Sequence, residues 1–126
     1  MTTARRAFGD LGERLAVQHL EANGYEVVDR NYRRAEGEID IIARSGDTLA
    51  FIEVKARRGA LMGRAVESLS PRKQLRMLEL AEAYDPERND LPEGRRIDLI
   101  AIDFTPDGRL LSLEHYENVV TGDDSR

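Results

Sequence analysis

The sequence contains no cysteine, and only two of its 19 basic residues are lysines. Without cysteine, neither a disulfide framework nor a thiolate zinc site can form, so a bound metal would be held by oxygen atoms or by one of two histidines. Such donors point to hard cations, Mg²⁺ or Mn²⁺. The near absence of lysine makes Lys55 informative, because a chain that otherwise uses arginine places a compact ammonium there.

The sequence also lacks any long apolar run. No segment approaches the length of a membrane-spanning helix, and the first 16 residues contain arginines but no apolar core of a secretory leader. We therefore expect a cytoplasmic protein that does not bind membranes. Its 126 residues suit a single domain, predicted to span residues 1–120, with a disordered tail at 121–126.

The net charge of −5 is not typical of a nucleic-acid-binding protein, but the charge is unevenly distributed. Residues 1–78 carry 14 basic against 11 acidic side chains, whereas residues 79–126 carry 5 against 13. The basic residues of the first part form short clusters that either line a phosphate-binding surface or are solvated charges. These clusters are Arg30/Arg33/Arg34, Lys55/Arg57/Arg58 and Arg72/Lys73/Arg76.

Hydrophobic periodicity and turn signals predict two helices and five strands. Ser70 followed by Pro71 is typical of an N-cap and first helical position, and Thr105 to Gly108 is typical of a turn. The predicted elements are helix 8–23, strands 25–32, 38–44 and 48–56, helix 70–84, and strands 95–104 and 109–120. This order predicts an α/β sandwich around a mixed central sheet flanked by helices.

The charges within the second and third predicted strands are the first candidates for a site. A two-residue turn at Gly46-Asp47 would fix the hairpin register. That register places Ile42 opposite Phe51, Asp40 opposite Glu53 and Glu38 opposite Lys55. Directly opposed residues share a face of the sheet, and Lys55 projects from the same face as Glu53. Asp40, Glu53 and Lys55 are therefore expected to converge.

Two interpretations of this convergence remain open from the residues alone. Opposed carboxylates repel unless a cation lies between them. A cross-strand salt-bridge cluster of Glu38, Asp40, Glu53, Lys55 and Arg57 would meet that need. A divalent metal held by Asp40 and Glu53 would meet it equally, with Lys55 placed to orient a water or offset phosphate charge.

Glu13 is a candidate third carboxylate on the first helix. It lies at the edge of the apolar stripe formed by Leu11, Leu15, Ala16 and Leu20, which would turn it inward. Its spacing from Asp10 is also that of a capping box, and from the residues alone we favour the cap.

Several motifs together resemble the YraN family of small bacterial endonuclease-like proteins, a branch of the PD-(D/E)xK superfamily. The likeness extends from about Gly12 to about Val119. The motifs are Gly12-Glu13, Gly24-Tyr25, Asn31-Tyr32-Arg33, Gly37-Glu38-Ile39-Asp40, the segment 51–57 (FIEVKAR), Glu67-Ser68 and Arg96-Ile97-Asp98. The resemblance implies the fold of restriction endonucleases, with an α-β-β-β-α-β core. The chain departs from the superfamily pattern at Ile39, where many members have proline.

The resemblance also implies roles for individual residues. Asp40 and Glu53 would bind Mg²⁺ or Mn²⁺ together with the main-chain carbonyl of Val54, Lys55 would be the catalytic lysine, and Glu13 would add a carboxylate. The implied function is a metal-dependent DNA endonuclease with a resolvase-like preference for branched or junction DNA, for which a homodimer is expected.

The alternative function is a non-catalytic module that keeps the nuclease fold and binds nucleic acid or docks a partner. We expect phosphate contacts from four basic residues, Arg33, Arg57, Arg72 and Lys73, and in the non-catalytic module from Arg30 as well. His19 and His115 are expected to be ordinary helix and strand residues.

Overall fold

A computed structural model describes residues 3–59, 69–86 and 88–120, with side chains from residue 9 onward. The elements follow the predicted order. They are α1 (Thr3–Ala22), β1 (Glu26–Arg34), β2 (Gly37–Ser45), β3 (Thr48–Arg58), α2 (Pro71–Ala83), β4 (Gly94–Phe104) and β5 (Leu110–Tyr116). The predicted tail at 121–126 and the Glu67-Ser68 motif lie outside the described residues.

The five strands form one sheet in the order β1-β2-β3-β4-β5. All neighbouring pairs are antiparallel except β3 and β4, which are parallel and joined through α2. A parallel pair needs such a crossover because no tight turn can connect it. The predicted mixed sheet flanked by helices is therefore confirmed.

Each helix covers one face of the sheet. Ala16 and Leu20 of α1 pack with Ile52 and Ile100 in one apolar cluster, whereas the α2 cluster lies on the other face. Because β3 and β4 are covered on both faces, their sequences are nearly continuous apolar runs. Among the described residues, Glu53 and Asp98 are the charged side chains that are buried within these runs. No helix in the described part of the chain is long and apolar enough to cross a bilayer.

The structure confirms one predicted element boundary and shifts two others. Ser70 is the N-cap of α2 as predicted, and its Oγ accepts a hydrogen bond from Lys73 N at 3.2 Å. Helix α1 begins at Thr3 instead of residue 8, so Glu13 lies in mid-helix and the favoured capping box is wrong. Strand β5 ends at Tyr116 instead of residue 120, because the chain turns at Asn118, which has a φ of 56°.

The predicted β2–β3 register is correct near the turn but ends before the charged positions. Ile42 pairs with Phe51 and Ile41 with Ile52, and no pairing between these strands continues past that point in the described ladder. The predicted ladder pairs Asp40–Glu53 and Glu38–Lys55 are therefore wrong. The physical reason is that Asp40 Oδ2 accepts the Val54 N–H at 2.8 Å and so takes up a main-chain donor at the ladder's end. Beyond this point β2 pairs only with β1, and β3 with β4, which opens a cleft between them.

Candidate active site

The opening between β2 and β3 forms a cleft of about 460 Å³ beneath α1, which we call the carboxylate cleft. All five residues predicted to be catalytic or to bind metal line it: Glu13, Asp40, Glu53, Val54 and Lys55. They come from one helix and two strands. The structure therefore brings together all the residues to which the family resemblance gives catalytic or metal-binding roles.

Asp40 is a partly buried carboxylate whose ionised form is poorly compensated. Burial and the neighbouring Glu53 raise its pKa to about 7, with smaller contributions from Glu13 and Glu38. The hydrogen bond from Val54 N opposes this rise without overcoming it. Near neutral pH the Asp40 carboxyl is thus divided between its protonated and ionised forms, and a cation in the cleft would favour the ionised form.

Glu53 is buried to 9% exposure, and its carboxylate is neutralised from the α2 side. Lys73 Nζ lies 2.5 Å from Glu53 Oε2. Lys73 stands in the first turn of α2, where the Ser70 cap fixes the start of the helix. Both lysines of the chain therefore adjoin the carboxylates, whereas the rarity of lysine was used to single out Lys55 only.

Glu13 reaches the cleft because α1 approaches β3 closely. A Cβ added at Gly12 would lie 3.1 Å from Ala56 Cβ, so a glycine permits this approach. The Glu13 carboxylate points toward β1, where Oε1 lies 3.5 Å from a terminal nitrogen of Arg30. Because Glu13 lies in mid-helix, its carboxylate does not cap the start of the helix and can face the cleft.

Asn31 is a cleft residue to which the sequence analysis gave no role. Its backbone is left-handed, with a φ of 54°. In the amide orientation that satisfies its hydrogen bonds, its nitrogen donates to Glu38 Oε2 at 3.0 Å and to Glu13 Oε2 at 3.3 Å. An asparagine within a strand-like run is the sequence feature that could have indicated this residue. Asparagine adopts the left-handed backbone conformation more readily than most residues.

Lys55 is exposed at the edge of the cleft. Within the described residues no salt bridge is formed by its ammonium, and Glu38 lies instead 3.5 Å from Arg33 Nε. Glu53 is paired with Lys73, and Arg57 with Asp103. The predicted cross-strand salt-bridge cluster is therefore not the arrangement adopted, and Lys55 is left facing the cleft.

The four basic residues predicted to contact phosphates lie in different places. Arg33 lines the carboxylate cleft, and Lys73 adjoins it through Glu53. Arg72 is exposed at the start of α2. Arg57 donates to both carboxylate oxygens of Asp103, at 2.8 and 3.1 Å, and does not line the cleft. The geometry thus brings two of the four, Arg33 and Lys73, to the carboxylates.

The donors of the cleft fit a hard divalent cation bound mainly through water. Among residues 3–59, 69–86 and 88–120, no three His, Cys, Asp or Glu side chains are grouped as a metal-binding set. Mg²⁺ does not need such a cage, because it keeps several waters and binds proteins through one or two carboxylates. Burial and the neighbouring carboxylates raise the pKa of Asp40, and a bound cation would oppose both effects.

A second polar cluster lies away from the cleft and links several elements. Asp98 is fully buried, accepts two hydrogen bonds at 2.9 Å from Arg96, and lies 2.9 Å from His115 Nε2. His115 Nδ1 in turn lies 3.3 Å from His19 Nε2 on α1. Both histidines, predicted to be ordinary, therefore belong to a network that ties α1 to β4 and β5.

Comparisons with known proteins agree on a family. A family model described as "Uncharacterised protein family UPF0102" matches residues 12–102. A UPF0102 protein of Pelotomaculum thermopropionicum is 40% identical over 118 residues, covering 94% of this chain and 98% of the relative. Those of Dictyoglomus turgidum and Roseiflexus castenholzii are 42% and 43% identical, covering 90% and 91% of this chain and 96% and 94% of the relatives.

Proposed function

The chain belongs to the UPF0102 family, and we propose that it is a metal-dependent endonuclease that hydrolyses phosphodiester bonds in DNA. The observation that carries the proposal is the convergence of Asp40, Glu53 and Lys55 where the β2–β3 ladder ends. The similarity of segments 37–40 and 51–57 to the YraN endonuclease-like family supports it.

Asp40 and Glu53 would hold Mg²⁺ or Mn²⁺ together with the main-chain carbonyl of Val54, the residue that follows Glu53. When bound, the cation would supply a water of lowered pKa and offset charge on the phosphate oxygens. The chain's own contribution is to fix Asp40 by the Val54 N–H and to keep Glu53 beside a cationic side chain. Such preorganisation means that little rearrangement is needed when substrate arrives.

Lys55 would act on the phosphate or on the attacking water. Its ammonium faces the cleft without a salt bridge to any described residue, so it can interact with negative charge that develops on the phosphate. Glu13 would add negative charge on the α1 side. Asn31 would hold Glu13 and Glu38 in place through its amide nitrogen.

Cleavage of branched, duplex and single-stranded DNA in Mg²⁺ or Mn²⁺ tests the proposal. We expect Lys55→Ala to lower the cleavage rate by about 10²–10³-fold, the usual loss when one group that stabilises transition-state charge is removed. The matched control is Arg109→Ala, which removes an exposed positive charge in the β4–β5 turn and should cut at the wild-type rate.

Two results would contradict the proposal. Equal cleavage by wild type and Lys55→Ala would identify the activity as contamination. Salt-sensitive DNA binding by wild type, with neither metal binding nor cleavage, would favour the alternative of a non-catalytic nucleic-acid-binding module.

A further inference from the structure

A second cavity, of about 260 Å³, lies on the α2 side of the same carboxylates. We call it the α2 pocket. It shares Glu38, Asp40 and Glu53 with the carboxylate cleft, so these three side chains form the boundary between the two cavities. The α2 pocket therefore adjoins the carboxylates at which the reacting phosphate is proposed to lie.

The remaining walls of the α2 pocket differ sharply in character. Lys73 and Arg76 supply two positive charges from neighbouring turns of α2. Met77 and Leu80 supply an apolar floor, and both belong to the buried core with 2% exposure. A floor that is part of the core is held rigidly, which is a property of preformed binding sites.

Gly37 keeps the α2 pocket open at its β2 end. A Cβ at this position would lie 3.7 Å from Leu80 Cδ1 and 3.9 Å from Arg76 Cδ. Any side chain larger than hydrogen would therefore occupy space between the apolar floor and the basic wall. The glycine that opens the family-like motif Gly37-Glu38-Ile39-Asp40 thus also shapes this pocket.

The two basic side chains are not equivalent. The Lys73 ammonium is held by Glu53 at 2.5 Å. Arg76 is exposed, and within the described residues its guanidinium forms no hydrogen bond or ion pair. The Arg76 guanidinium can therefore bind the phosphate of a nucleotide whose sugar or base contacts the apolar floor.

We propose that the α2 pocket binds the nucleotide unit next to the reacting phosphodiester, with Arg76 on its phosphate and Met77 and Leu80 against its sugar or base. This inference rests on the proposed endonuclease function, since it assumes that the reacting phosphate lies at Asp40 and Glu53. Lys73 then stands between Glu53 and the adjacent phosphate and reduces the repulsion between them.

Fluorescence anisotropy of labelled DNA in Ca²⁺, under conditions without turnover, tests the proposal. We expect Arg76→Ala to weaken binding by about tenfold and to reduce the slope of log affinity against log salt by about one. Arg76→Lys should retain most of the affinity, because it keeps the positive charge for the phosphate. The matched control is Arg109→Ala, which removes an exposed arginine far along the chain.

The outcomes separate the pocket from the proposed function. Arg76 is exposed, so its variants should fold, which circular dichroism and thermal unfolding will verify. If wild type cleaves DNA while Arg76→Ala binds and cleaves like Arg109→Ala, the α2 pocket assignment is wrong and the endonuclease stands. If wild type neither binds nor cleaves DNA with metal present, the endonuclease is wrong and the pocket assignment falls with it.

Discussion

Asp40 is stabilised in its neutral form by the surroundings that make it a candidate metal ligand. Burial, Glu53, Glu13 and Glu38 all disfavour its negative charge, and one main-chain N–H favours it. Asp98 has almost the same local sequence, since IDIIA surrounds Asp40 and IDLIA surrounds Asp98. Burial of Asp98 would raise its pKa, but hydrogen bonds from His115, Arg96 and Asn118 N outweigh that effect and lower it. The two aspartates therefore differ through tertiary partners that sequence similarity does not reveal.

Asp40→Asn should stabilise the metal-free protein more strongly at alkaline pH than at acidic pH. The folded pKa of Asp40, about 7, lies above its ordinary value of 3.8, so the wild type loses stability as pH rises from about 4 to about 7. Asparagine carries no charge and can still accept from Val54 N. We expect a gain of about 2 kcal/mol in the free energy of unfolding near pH 8, and less than half of that gain near pH 5.

Urea unfolding in the presence of a chelator at both pH values measures this effect. Asp47→Asn, which neutralises an exposed carboxylate in the β2–β3 turn, is the charge-matched control and should show no such gain. If Asp40→Asn and wild type differ by the same free energy of unfolding at both pH values, the environment of Asp40 does not disfavour its charge.

At the scale of elements, the sequence predicts the β2–β3 pairing near the turn but not the point where that pairing ends. The Gly46-Asp47 turn correctly predicts the pairs Ile42–Phe51 and Ile41–Ile52. It cannot predict where the ladder stops, because that depends on a side chain competing for a main-chain donor at Val54. The convergence of Asp40, Glu53 and Lys55 was therefore predicted correctly, but the ladder pairing used to argue for it was not.

Helix α1 depends on Gly12 for its distance from β3. Gly12→Ala would place a methyl 3.1 Å from Ala56 Cβ, whereas Gly9→Ala meets nothing within 4 Å. In a helix interior alanine is favoured over glycine by roughly 0.5–1 kcal/mol. We expect that gain for Gly9→Ala, and a smaller gain or a loss for Gly12→Ala.

Chemical denaturation of the two glycine variants gives the comparison directly, because both substitutions have the same intrinsic helix propensity. Gly12→Val should be clearly destabilised, since its larger side chain forces α1 away from the sheet. Equal stabilisation by alanine at positions 9 and 12 would show that close packing at Gly12 does not position α1, and with it Glu13.

The Asp98 network should determine how firmly α1 is attached to β4 and β5. Asp98→Ala leaves Arg96 and His115 without their shared carboxylate, and breaking a buried ion pair on one side costs about 3–5 kcal/mol. We expect a loss of that size in the free energy of unfolding at neutral pH. Asp107→Ala, which removes an exposed carboxylate, is the control. Exposed ion pairs usually contribute less than about 1 kcal/mol. A loss of unfolding free energy that small for Asp98→Ala would contradict the assigned role.

For the whole molecule, local sequence predicted the order of elements and the mixed sheet, because apolar periodicity and turn residues carry that information. It did not predict contacts between elements that are distant along the chain. Lys73 was assigned to phosphate binding, yet it pairs with Glu53 across 20 residues. Asn31 and the His19–His115 contact were missed for the same reason, since each joins side chains that only the tertiary fold brings together.

Asp40 and Glu53 are proposed to form a site for a divalent cation, and Mn²⁺ titration calorimetry tests this proposal most directly. We predict one bound ion, with affinity about tenfold higher near pH 8 than near pH 6 because Asp40 must lose its proton to bind metal. Asp40→Asn and Glu53→Gln should each weaken or abolish binding. Absence of Mn²⁺ binding at both pH values, or binding that both substitutions leave unchanged, would contradict the account.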